Sequence, residues 1–151
     1  MKKVLVLGIG NILQGDDGLG VHIVNRIEES GISLPDDVEI IDGGTAGFDL
    51  LPLMQGRDRI IVVDAMRGEG TPGSIYRFKP ENAVETRSGV SLHEVGLMEV
   101  IRTLRLLGSN PDIEIIGIIP EDIETTDIKI SAAVQNAIPK AIELILDAVA
   151  N

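Results

Sequence analysis

No cysteine occurs in the chain. That removes a disulfide framework, a thiolate metal site and a cysteine nucleophile together. Aromatic residues are nearly as scarce, at 2% with no tryptophan. The 44% of hydrophobic residues must therefore build a core from Ile, Leu and Val. No apolar run is long enough to span a bilayer. The N-terminal MKKVLVLG lacks a signal-peptide layout, because glycines and acids cut its apolar run short. The expected location is the cytoplasm. Positive charge is also in deficit: the formal net charge of -11 repels nucleic acid and anionic membrane, and it serves plain solubility before it argues for a basic partner or a cation. With 151 residues, one domain spanning 1–151 is expected, large enough to bury a core without staples.

What is present is concentrated in Gly8–Gly20, GIGNILQGDDGLG. An apolar run, Val4–Leu7, enters it as a strand. Leu19, Gly20, Ile23, Val24 and Ile27 leave it at helical spacing, with a helix predicted over Asp17–Glu29. A strand–turn–helix of this kind places its turn at the carboxyl edge of a parallel sheet, where ligands bind. The dinucleotide fingerprint fails at Leu13, where glycine is required, and Asp16 and Asp17 would repel a pyrophosphate. No P-loop and no G-x-S-x-G elbow is present. Asp42-Gly43-Gly44-Thr45 loosely matches an aspartic-protease turn, but the second copy needed for a dyad is missing.

Further strands are predicted at Val38–Ile41, at Arg59–Val63 stopping at Asp64, at Ser74–Phe78 and at Ile113–Ile119. Helices are predicted from Thr45 to about Leu53, from Ser91 to about Leu107 behind a Ser91/Glu94 capping box, and over Ser131–Val149 with a kink or break at Pro139. Pro80–Val90 reads as a long loop. The alternation gives a three-layer α/β/α sandwich around a five-stranded, mainly parallel sheet. Ser74–Phe78 follows its predecessor without a helix between them, so it is the one antiparallel strand.

Three dispersed residues can share one sheet edge: Asp17 after the first strand, Asp64 closing the third, and His93 in the first turn of the helix after the long loop. Two carboxylates and an imidazole suit a divalent transition metal, with a position left open for water or substrate. Each also has a plainer role. Asp17 can cap its helix, Asp64 can hold a neighbouring loop, and His93 can be an exposed helix residue. His22 shares a face with Asn25, Arg26 and Glu29 and reads as solvated, leaving His93 as the candidate imidazole.

Gly8-Ile9-Gly10-Asn11, Gly15-Asp16-Asp17-Gly18-Leu19-Gly20, Asp42-Gly43-Gly44-Thr45, Val63-Asp64-Ala65 and Ser91-Leu92-His93-Glu94 together closely resemble the nickel-iron hydrogenase maturation endopeptidases, in order and over essentially the whole chain. The opening Gly-x-Gly-Asn also looks like peptidyl-tRNA hydrolase. That enzyme's histidine after the turn is absent, and the acidic charge opposes a tRNA ligand. The endopeptidase resemblance implies a phosphorylase/hydrolase-like fold and a cytoplasmic protease. Such a protease clips a C-terminal extension from the hydrogenase large-subunit precursor after nickel insertion. It implies metal contacts, and catalytic roles, at Asp17, Asp64 and His93, and a substrate-recognition loop at Asp42, Gly43, Gly44 and Thr45. Nickel then belongs to the substrate, with no permanently bound cofactor, although zinc- or cadmium-type ions could occupy the same donors. Two alternatives stay open: a metal-dependent hydrolase of another substrate, and a non-catalytic nickel-binding or chaperone module.

Overall fold

The computed structural model describes residues 2–68, 70–83, 91–92, 95–121 and 128–150. Strand β1 is Val4–Ile9, buried from Leu5 onward as a strand covered on both faces must be. A 3-10 turn, Gly15–Gly18, leads into α1, Leu19–Glu29. Strand β2, Val38–Gly44, is followed by a second 3-10 turn, Gly47–Leu50, and by α2, Leu51–Met54. Strand β3 spans Arg59–Arg67 and β4 spans Ile75–Phe78. Then come α3, Pro80–Ala83; β5, Ser91–Leu92; α4, Val95–Leu106; β6, Asp112–Ile118; and α5, Ala132–Ala150.

The main sheet has the order β2-β1-β3-β6-β4. Its first four strands are parallel, and β4 runs antiparallel to β6, as its missing crossover requires. Alternation along the strands sorts the core into two layers. Val6, Ile61, Val63, Ile116 and Ile118 meet α1 and α5 on one face. Leu5, Leu7, Ile60, Val62 and Ile115 meet α2 and α4 on the other. Burying each such aliphatic side chain is worth about 1.5–3 kcal/mol. Among the described residues no helix is long and apolar enough to cross a membrane.

Several predicted boundaries move. Strand β3 does not stop at Asp64; it continues to Arg67, because β5 pairs with its end, Met66 opposite Leu92 and Arg67 opposite Ser91. Ser91 is therefore extended backbone, and α4 starts at Val95; Glu94 lies outside the described residues. Thr45 caps no helix: the 3-10 turn begins beyond Ala46, without a side-chain cap. Asp42, Gly43 and Gly44 belong to β2 rather than to the loop after it. Pro80 opens a helical turn, and residues 84–90 of the predicted loop lie outside the described residues. Helix α5 runs through Pro139 without interruption.

Candidate active site

The order of connections creates the site. From β1 the chain steps outward to β2, then crosses back to β3 on the other side of β1. Helix α1 packs on one face of the sheet and α2 on the other. The crevice at such a reversal opens outside the carboxyl ends of the two strands involved, here β1 and β3. Asp17 stands on the turn leaving β1, and that turn packs against β3. Asp64 lies on β3, one residue beyond the Val63 that pairs with Gly8 of β1.

Local chemistry shapes the turn. Gly10 has φ 138, and a Cβ there would overlap the carbonyl oxygen of Asp17. The Asp17 carboxylate does not cap α1, whose Gly18 N-cap makes no side-chain bond. Its Oδ2 instead accepts the Asn11 N–H at 2.8 Å, folding the loop back on itself. Asn11 Oδ1 accepts the Leu13 N–H at 3.0 Å. Asp17 is 2% exposed and Asp64 is 0% exposed. Two buried carboxylates thus stand at the carboxyl edge of adjacent parallel strands, where such sheets bind their ligands.

His93, the third residue of the set, lies outside the described residues. Its neighbour Leu92 is held on the end of β3, opposite Met66. Among the described residues no three His, Cys, Asp or Glu side chains form a metal-sized cluster. His22 is not solvated as predicted. Its ring is half-buried, and Nε2 is enclosed with no hydrogen-bond partner among the described residues. Burial, and then the Arg26 charge, pull its pKa below the ordinary histidine value against an opposing pull from Asp16.

Asp16, read in the sequence only as half of an acidic pair, proves to be an anchor. It is 1% exposed. Its Oδ1 accepts the Ser131 N–H at 2.8 Å, and its Oδ2 accepts the Glu121 N–H at 2.9 Å and the Ser131 hydroxyl at 2.7 Å. Ser131 Oγ in turn accepts the Val134 N–H at 3.3 Å in the first turn of α5. One carboxylate thus ties both ends of the β6–α5 connection to the turn that carries Asp17. An Asp16→Ala chain leaves those donors without their acceptor. It is expected to lose about 2–4 kcal/mol of stability in urea unfolding, with Asp16→Asn losing less because one acceptor oxygen remains. Wild-type unfolding of Asp16→Ala would show that the anchor is idle.

Residues 42–45 border the same crevice. Asp42 Oδ1 accepts the Gly44 N–H at 2.9 Å, forming an Asx turn, and the Gly44 carbonyl accepts the Gly10 N–H at 2.9 Å. The two loops are therefore joined through their backbones. Between them runs a groove of about 320 Å³ lined by Gly10, Asn11, Ile12, Leu13, Asp42 and Thr45 among others. Ile12, Leu13 and, nearby in the chain, Phe48 are exposed to solvent at 43%, 58% and 56%. This sheet edge carries buried acidic groups on the β1 turn and on β3, a hydrogen-bonded polar turn and exposed apolar side chains, an arrangement able to hold a peptide beside a cation.

Residues 21–148 match the HycI family, described as hydrogenase maturation protease. The chain is 41% identical over 150 residues to the hydrogenase 2 maturation protease of Escherichia coli strain K12, covering 97% of this chain and 90% of that protein. Its fold is similar to the solved structure of the hydrogenase maturating endopeptidase HybD from E. coli, with a TM-score of 0.87 and 38% identity over 99% of this chain and 93% of that one. The [NiFe] hydrogenase maturation protease HybD from Thermococcus kodakarensis gives a TM-score of 0.79 at 26% identity, over 96% and 97% of the two chains.

Proposed function

The chain belongs to the hydrogenase maturation protease family, and on that premise we propose that it removes the C-terminal extension of a [NiFe] hydrogenase large-subunit precursor after nickel has been inserted. Members of the family are endopeptidases acting on hydrogenase precursors. The single observation that supports the finer reading is the pair of buried carboxylates, Asp17 and Asp64, at the β1/β3 switch point beside the Asp42–Thr45 turn.

In this reading nickel arrives as part of the substrate. Asp17, Asp64 and His93 contact it from the protease side, a carboxylate and imidazole set suited to a divalent transition ion. Zinc- or cadmium-type ions would fit the same donors. The protease itself needs no resident cofactor. Docking on the ion positions the adjacent peptide bond, so that recognition becomes proximity. Asp17, on a turn held by Asn11, is the candidate base for the attacking water. The Asp42–Thr45 turn reads the surrounding peptide. The reaction is expected to take place in the cytoplasm.

The test is the mass of the precursor before and after incubation, with nickel loaded and with nickel withheld. Shortening that requires nickel supports the reading. Turnover of unrelated peptides with added zinc would instead make the protein a general metallohydrolase. Stoichiometric nickel binding without a shortened product would make it a metal-handling module.

A further inference from the structure

We propose that a small recess between the Gly44–Gly47 turn and the start of α4 is a specificity subsite for a small aliphatic side chain of the precursor, with Gly96 as the residue that keeps it open. The proposal rests on the protease reading above and adds what that site selects.

The recess has a volume of about 50 Å³. Ile9, Leu50, Leu97 and Val100, all buried, form its apolar wall, and Gly44–Gly47 and Gly96 complete its lining. One boundary is thus the backbone of the candidate recognition loop, and the other is the helix that begins two residues after His93. A peptide lying along the Asp42–Thr45 turn would pass directly over it.

Size and chemistry select the occupant. An engineered apolar cavity that admits benzene measures about 150 Å³, so a recess a third as large excludes an aromatic ring and holds only a few aliphatic carbons. Among the described residues no charged side chain lines it, and a charged substrate group entering it would lose hydration without compensation from them. Among the described residues of the lining, Thr45 supplies the side-chain hydroxyl.

Gly96 is the informative residue. Gly44 and Gly47 have φ of 51 and 59, which the turn itself demands of glycine. Gly96 is different: it lies in the first turn of α4, its φ is not positive, and a Cβ placed there meets nothing within 4 Å among the described residues. Neither backbone conformation nor crowding calls for glycine at that point, and glycine is among the poorest helix formers. Gly96 is exposed, and the open space beside it forms the solvent side of the recess. A residue that the helix does not favour and the packing does not need is explained by what must enter beside it.

The experiment uses the full chain and nickel-loaded precursor. Gly96→Ala and Gly96→Leu are compared with wild type on a set of precursors. In that set, each residue within three positions of the cut, located by product mass, is changed in turn to Gly, Ala, Val and Phe. Wild type is expected to show, at one position, a preference for Ala or Val over Phe of about 10-fold or more in kcat/KM, the scale of a few methylenes in an apolar pocket. Gly96→Leu is expected to lose about 10-fold or more on the native precursor and to recover when that position becomes Gly. Gly96→Ala is expected to shift the preference toward the smaller residue, with a thermal midpoint at or above that of wild type. Wild-type selectivity in both variants, or an equal loss on every precursor, would overturn the subsite while leaving the protease reading in place. Failure of wild type to shorten any precursor would overturn both.

Discussion

An Asp64→Asn chain is expected to melt close to the wild-type temperature and to process nickel-loaded precursor at least about 10²-fold more slowly, the scale lost when the reacting groups are displaced by about 1 Å. The side chain is fully buried in β3, with Val62 and Val63 before it and Ala65 and Met66 after it, all of them buried. The substitution keeps its shape and removes the charge. The amide fills the same space in β3, so the packing is kept while the anionic donor for the substrate's nickel is lost. The two readouts separate the roles. If Asp64 serves the fold, the thermal midpoint falls and kcat/KM per folded molecule is retained. If it serves the reaction, the midpoint holds and kcat/KM collapses.

A Gly20→Val chain is expected to lose its native fold, and Gly20→Ala to lose about 3 kcal/mol or more in denaturant unfolding, at the upper end of overpacking costs. A Cβ at Gly20 would overlap the carbonyl oxygen of Val63 and lie 2.6 Å from that of Ile9. Both atoms belong to hydrogen-bonded strands, so neither moves without breaking the sheet. The reverse contact is equally close: a Cβ at Gly8 would overlap the Gly20 carbonyl and approach Val24 Cγ2 at 2.7 Å. Glycine at these two positions lets α1 press onto the carboxyl ends of β1 and β3. That approach brings the Asp17 turn against the strand that carries Asp64. Gly31→Ala is the control. Its φ of 72 makes alanine strained, but nothing lies within 4 Å, so the loss is expected to be only about 1–2 kcal/mol. Equal losses at Gly20 and Gly31 would mean that the close approach of α1 carries no special weight.

Much of the architecture was legible because its signals are local. The apolar runs of β1, β3 and β6, the helical period of α1, and the missing crossover before β4 each lie within a few residues. Together they predict the mainly parallel sheet with one reversed strand. The misread features depend on distant partners. Ser91 and Glu94 spell a capping box, yet Ser91 pairs with Arg67 and becomes a strand. The same pairing carries β3 past Asp64. Asp16 anchors groups 105 and 115 residues away, a relation that no spacing rule contains. His22 was placed on a solvated helix face by its period, but packing half-buries its ring. Of the candidate site, Asp17 and Asp64 fall at the predicted edge. Their burial, and the backbone link between Gly10 and Gly44 that joins the two loops, become visible only in three dimensions.

X-ray absorption at the nickel edge tests the central claim directly. The sample is a nickel-loaded precursor whose cleavage position has been made resistant, measured alone and in complex with the protease. Oxygen and nitrogen scatterers should join the nickel shell when wild type binds. They should diminish when Asp17→Ala, Asp64→Ala or His93→Ala replaces it. A nickel spectrum unchanged by complex formation would contradict the account, because the acids and the imidazole would then have no part in reading the metal.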